Sequence, residues 1–263
     1  MATVTAATSD RKSLFALCQP LCREAYQPGN RDTFVSGSDS GFLVQEGERL
    51  IVAIAGSNDV SDWINRESGN LHFEPCGSSG DFKFHSGMAI AAQHVAQEIR
   101  GDIFRFLHDH QDGVVIFTGH SRGGAIAQIL PLLIGIDPSD YMVVTFGSPQ
   151  VISGNLRQTA VHFQNWSDIV HRLPVRIRGI SYCHFGTIVR RTVDGQVIEY
   201  GSVPDSFKST IIAICLAIVA FFAMAGRFRM LPASLLKFVA AEVKASHMIE
   251  TGYAMERWFP NEE

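Results

Sequence analysis

Gly119-His120-Ser121-Arg122-Gly123 is the stretch of this chain whose residue types and spacing suit nucleophilic chemistry. It is a G-x-S-x-G pentapeptide inside VVIFTGHSRGGAIAQIL, with a β-branched run before it and an apolar, helix-forming run after it. The bare pentapeptide is weak evidence. Its place between a strand and a helix is the context required of a nucleophile elbow, the sharp turn that lifts a serine Oγ above the end of a sheet. Both glycines then have a physical reason, because side chains there would collide with the neighbouring strand and helix. The helix adds its positive N-terminal end where an oxyanion would develop. The competing reading of Ser121 is an ordinary loop serine ahead of a helix.

A serine nucleophile needs a base, and behind an elbow of this kind an acid and then a histidine follow along the chain. Of the ten histidines, His72, His85, His94, His108 and His110 precede the serine, and His120 adjoins it and points away. His162, His171, His184 and His247 follow it. Asp168 lies just past the apolar run 161–166, in a loop at the carboxyl end of a strand, where a triad acid belongs. The fitting histidine follows both, near the C-terminus: His184 or His247.

The elements that would position these groups are legible in the periodicity. Residues 11–27 place Leu14, Leu17, Cys18, Leu21 and Cys22 near helical spacing, interrupted by Pro20, ahead of a Pro28-Gly29-Asn30 stop. GFLVQEGERLIVAIAG reads as a hairpin whose second arm, 50–55, is a buried strand. Residues 86–110 form a long amphipathic helix, 114–118 a strand, 123–134 an apolar helix and 141–146 another buried strand. Residues 161–166, 181–191 and 196–200 read as further strands, with Asp194-Gly195 as turn chemistry. Strand, helix, strand implies a parallel sheet with right-handed crossovers. The expected fold class is α/β, in one domain over residues 1–263.

Composition narrows the function classes. The 263 residues are 46% hydrophobic and 18% charged, which supplies a core and excludes a disordered chain. Lys plus Arg number 22 against 26 Asp plus Glu, a net charge of −4 that gives no reason to expect nucleic acid. Five cysteines without ligand spacing suit a reducing compartment, and no secretory signal precedes Ser13. An intracellular protein, with peripheral or integral membrane association, is the expectation.

Seven segments, in order along the chain, resemble the class 3 lipase family, the fungal-lipase-like branch of the α/β-hydrolases: AIAGSNDVSDW, KFHSGM, VIFTGHSRGGAIAQ, VVTFGSPQV, NWSDIVHRLP, YCHFG and SHMIETGY. The resemblance implies an α/β-hydrolase fold with a mainly parallel central sheet. It makes Ser121 the nucleophile, Asp168 the acid and His247, followed by Tyr253, the general base, and it gives His184 a structural or near-site place. It puts the oxyanion hole at Ser57 and the backbone N–H of Arg122. Ala55 stands before Gly56 where the family pattern usually has arginine, which implies a missing structural ion pair. Residues 58–70, with Trp63 and Ile64, correspond to a lid helix in many relatives; a fixed surface helix is the other reading.

The departure from the family is STIIAICLAIVAFFAMAG, residues 209–226, flanked by Lys208, Arg227 and Arg229. Its unbroken apolar run, 211–225, is about 22 Å long as a helix against about 30 Å of bilayer hydrocarbon. One complete crossing would also put His247 on the far side of the membrane from Ser121 and Asp168. The segment is therefore a buried helix, a membrane-dipping insertion, or a span that promotes His184 or His171 to the base. With the apolar 230–243 it suits a helical hairpin resting in an interface. The resulting expectation is a serine-dependent hydrolase of acyl glycerolipid esters that needs no metal or organic cofactor, takes a lipid or ester substrate and meets a lipid interface through residues 209–226. The alternative is a non-catalytic membrane-associated scaffold on the same fold.

Overall fold

The computed structural model describes residues 8–29, 31–57, 75–78, 82–154, 156, 158–168, 170–173, 182–192, 194–201 and 247–259. The expectations for 58–70, 209–226 and 230–243 fall outside the described residues.

The sheet grows from the β-branched runs. Strands β1 (Thr33–Ser36), β2 (Asp39–Glu46), β3 (Arg49–Ile54), β6 (Val114–His120), β7 (Tyr141–Phe146), β9 (Ala160–Asn165), β10 (Thr187–Arg191) and β11 (Val197–Gly201) pair in that spatial order. The four central pairings, β3 with β6, β6 with β7, β7 with β9 and β9 with β10, are parallel; the flanking ones are antiparallel. This is the mainly parallel sheet expected of an α/β-hydrolase.

Period-2 alternation sends the core residues to two faces. Leu50, Val52 and Ile54 of β3 join Val115 and Phe117 of β6 on one face, under α2 (Ser86–Asp109) and α3 (Arg122–Ile134). Ile51, Ala53 and Ile116 face the other way, onto α1 (Thr8–Glu24) and a short α4 (Met255–Trp258). There Phe15 is buried among Phe146, Phe163 and Trp258, with ring centroids 4.9–5.5 Å away. The N-terminal helix is thus the cover of one sheet face, with Leu14, Cys18, Leu21 and Cys22 as its buried stripe.

Two features differ from the sequence reading. A second sheet, with β5 (Phe82–His85) between β4 (Pro75–Ser78) and β8 (Ile152–Gly154), arises from strands of three or four residues, too short for an alternation to register. The strand expected over 181–191 begins only at Thr187. Gly186 has φ +94°, outside the extended region, and Cys183 makes a single bridge to Ile152 instead. The turn at that glycine leaves Tyr182, His184 and Phe185 to pack against the body of the protein, where all three are buried.

Candidate active site

Register brings the site together. Ile54 pairs with Gly119, His120 with Phe146 and Phe146 with Phe163, so the carboxyl ends of β3, β6, β7 and β9 lie side by side. The segments that leave those ends carry Ser57, Ser121 and Asp168, which is where open parallel sheets place their ligand sites.

Ser121 has φ 55° and ψ −125°, and it is the one non-glycine with positive φ among the described residues. Such a conformation costs about 1–3 kcal/mol and persists where the surroundings impose it. They do so here: a Cβ on Gly119 would run into the backbone of Gly123, and a Cβ on Gly123 would meet the carbonyls of Ile54 and Ala55. The glycine spacing is what lets β6, α3 and the end of β3 approach so closely. Ser121 makes no side-chain cap to α3. Its Oγ lies 2.9 Å from Nε2 of His247 instead.

His247 Nδ1 is 2.9 Å from Asp168 Oδ2. The carboxylate only accepts, so Nδ1 carries the hydrogen, and Nε2 presents its lone pair to the Ser121 hydroxyl. Asp168 is fully buried and held from several sides: Val170 N–H donates to Oδ1 at 2.8 Å and the Tyr253 hydroxyl to Oδ2 at 2.7 Å. Burial, and then the adjacent carboxylate, push the Tyr253 hydroxyl well above its ordinary pKa, so it stays a donor. Asn165 N–H in turn donates to the Tyr253 oxygen at 3.2 Å.

Arg122 is the first residue of α3, so its backbone N–H belongs to the turn of donors that a helix leaves unpaired by its own ladder. Its guanidinium Nη2 donates to Asp39 Oδ2 at 2.9 Å, both side chains being buried. This ion pair lies near Ala55: Asp39 opens β2, and the next residue's carbonyl accepts from Ala55 N–H at 2.9 Å. Ser57 is half-buried just past β3, one residue after Gly56, whose ideal Cβ would fall 2.7 Å from the His120 carbonyl. At the other side of the elbow, Gln128 of α3 donates to Ser148 Oγ at 2.7 Å and fixes the loop after β7.

The remaining histidine candidates lie apart from the serine. His184 donates from Nε2 to the His171 carbonyl at 3.1 Å and packs its ring 4.6 Å from that of His162. Burial pulls its pKa down to about 4. His171 and His162 are likewise buried and pulled well below the ordinary range, first by desolvation. Sequence reasoning missed three contributors. Tyr26 bonds His120, the His120 ring lies 4.6 Å from the His247 ring, and Asp39 anchors Arg122. These pairs stand 94, 127 and 83 residues apart, so no local pattern announces them.

Residues 51–176 match the family profile Lipase (class 3). Over this stretch, a little under half of its length, the chain is similar to the class 3 lipase family. Among curated class 3 lipase-like relatives, the chloroplastic phospholipase A1 PLIP1 of Arabidopsis thaliana is 36% identical over 108 residues, covering 38% of this chain and 16% of that one. The secreted mono- and diacylglycerol lipase 1 of Fusarium solani is 27% identical over 146 residues, covering 51% of this chain and 42% of that one. The chain thus spans well under two thirds of the length of these relatives. Among solved structures, a triacylglycerol lipase with a serine protease triad at its catalytic centre superposes with TM-score 0.64 at 20% identity, covering 78% of this chain and 91% of that one. That likeness shows the fungal-lipase α/β-hydrolase fold. Among the described residues, no helix is long and apolar enough to cross a membrane.

Proposed function

We propose that the protein is a serine-dependent carboxylic ester hydrolase acting on acyl glycerolipids. The observation that carries the reading is the continuous Ser121 Oγ, His247 Nε2, His247 Nδ1, Asp168 Oδ2 line, with both separations at 2.9 Å. The match to the class 3 lipase profile and the phospholipase and acylglycerol lipase relatives support the substrate class.

In this reading His247 Nε2 takes the Ser121 proton as Oγ attacks the ester carbonyl carbon. The carbonyl oxygen becomes an oxyanion, held by the Arg122 backbone N–H and Ser57. The imidazolium, steadied by the buried Asp168 carboxylate, returns the proton to the leaving alcohol as the C–O bond breaks. Water then attacks the acyl-enzyme by the same route, giving the fatty acid and regenerating Ser121. Every proton in the cycle passes between substrate, water, Ser121 and His247.

The apolar stretch 209–226 is the proposed contact with the lipid interface. His247 within hydrogen-bonding distance of Ser121 favours an insertion that returns on the same side over one complete crossing. The test is hydrolysis of short- and long-chain nitrophenyl esters and of mono- and diacylglycerol, with and without lipid vesicles. Serine-dependent hydrolysis that rises for long chains on vesicles is expected. Cleavage of no ester by a folded chain would favour the scaffold alternative.

A further inference from the structure

A line of hydrogen bonds behind the triad ends on the backbone of the base. His120 Nε2 lies 2.6 Å from the carbonyl oxygen of His247. A carbonyl only accepts, so Nε2 carries the hydrogen. His120 is buried, and desolvation holds it well below the usual histidine range, so the ring is neutral and its other nitrogen has a lone pair. Tyr26 Oη, 2.7 Å from that Nδ1, must therefore be the donor. On its other side the Tyr26 hydroxyl lies directly against Gly56. Both directions are fixed: Tyr26 O–H to His120, and His120 N–H to the His247 carbonyl.

The two ends of this line are the parts that must keep register with Ser121. Gly56 precedes Ser57 in the oxyanion segment, and His247 is the base. There is no slack at the first end, since a Cβ on Gly56 would overlap the Tyr26 hydroxyl. At the second end the helix that leads to Tyr26 takes another hold on the same loop, as Gln19 of α1 donates to the Ile249 carbonyl at 3.2 Å. Asp168 sets the rotation of the His247 ring, but the ring's position depends on its backbone, which this line holds.

We propose that Tyr26 and His120 are positioning residues for the reaction: the Tyr26 hydroxyl, acting through His120, holds the oxyanion segment and the backbone of His247 in one register around Ser121, which makes the N-terminal helix region part of the catalytic apparatus. This rests on the hydrolase reading above. Neither residue bonds to Ser121 or to the ring nitrogens of His247, so its removal acts by misplacing those groups. Misplacement of that kind acts on kcat.

The test uses the full chain and two readouts, the rate at which a fluorophosphonate labels Ser121 and the kcat and KM for a short-chain nitrophenyl ester. Tyr26→Phe keeps the ring and removes the hydroxyl. It is expected to slow labelling and lower kcat on the order of tenfold with KM unchanged. His120→Phe removes the other half of the line and should cost about the same; the double variant should lose no more than the worse single variant, because the residues act in series. If the native chain is never labelled, the hydrolase reading itself fails. If the native chain is labelled and Tyr26→Phe matches it in labelling rate and kcat, the proposal is overturned. Losses in KM alone, or losses that multiply in the double variant, overturn it as well. Should Tyr26→Phe fail to fold, the His120→Phe labelling rate and kcat–KM split decide alone.

Discussion

Asp168 and His247, 79 residues apart in the chain, meet with Oδ2 and Nδ1 2.9 Å from each other, and Tyr253 donates to that same oxygen. One carboxylate oxygen thus receives two donors from the segment after residue 246, so acid and base are locked to each other through a single short loop. The consequences differ for each partner.

Asp168→Asn should keep the fold but abolish most turnover. An amide N–H can donate to Nδ1 and turn the imidazole to the wrong tautomer, with its hydrogen facing Ser121. A loss of kcat on the order of 10⁴ is expected. Ester kinetics with a circular-dichroism check of folding measures it, and a loss below tenfold would remove Asp168 from the acid role.

Tyr253→Phe should separate stability from chemistry. It removes from a buried site the hydroxyl that accepts from Asn165 N–H and donates to Asp168, which costs about 1–3 kcal/mol, while Asp168 keeps His247 and Val170. A lowered urea midpoint with kcat within about tenfold of native is expected. Unchanged stability would contradict a structural role for the hydroxyl.

Asp39→Ala leaves the Arg122 guanidinium without its carboxylate in a site where both side chains are buried. The expected destabilisation is about 3 kcal/mol. The paired replacement Asp39→Leu with Arg122→Leu should recover most of it, since a buried ion pair is often close to neutral against a matched apolar pair. Urea unfolding of the three variants reads the cycle, and equal losses in all three would contradict it.

Acid should weaken the fold through its buried histidines. His184 has an ordinary pKa of 6.5 when exposed and about 4 in the fold, where burial disfavours the cation. The unfolded chain therefore binds more protons between these values, and stability is full above pH 6.5 and falls as the pH drops toward 4. His184 alone contributes roughly 3 kcal/mol over that window, and His120, His162 and His171 shift in the same direction. Melting temperatures from pH 8 to 4 test this, with His184→Gln flattening the slope. A melting temperature that rises on acidification would contradict the assignment.

The elbow and the central strands were legible because their signals are local. The Gly119 to Gly123 spacing, the apolar runs of β3, β6, β7 and β9, and the helical stripe of α2 each lie within one window of sequence. Asp168 followed from its place just past β9. The choice between His184 and His247 did not follow from spacing, because it depends on a turn at Gly186 and on packing that buries His184 against His171 and His162. The β4-β5-β8 sheet was illegible since its strands are too short to show alternation. Tyr26 and Asp39 were illegible for a different cause: each acts on a residue more than 80 positions away, through a contact that exists only once the sheet has formed.

Fluorophosphonate labelling, run beside ester hydrolysis on the native chain, Ser121→Ala and His247→Ala, tests the Ser121–His247–Asp168 triad most directly. The native chain is expected to be labelled and to turn over ester, Ser121→Ala to lose both, and His247→Ala to fall to a small residual rate. A native chain that is folded yet never labelled, or a His247→Ala variant that retains native rates, would contradict it.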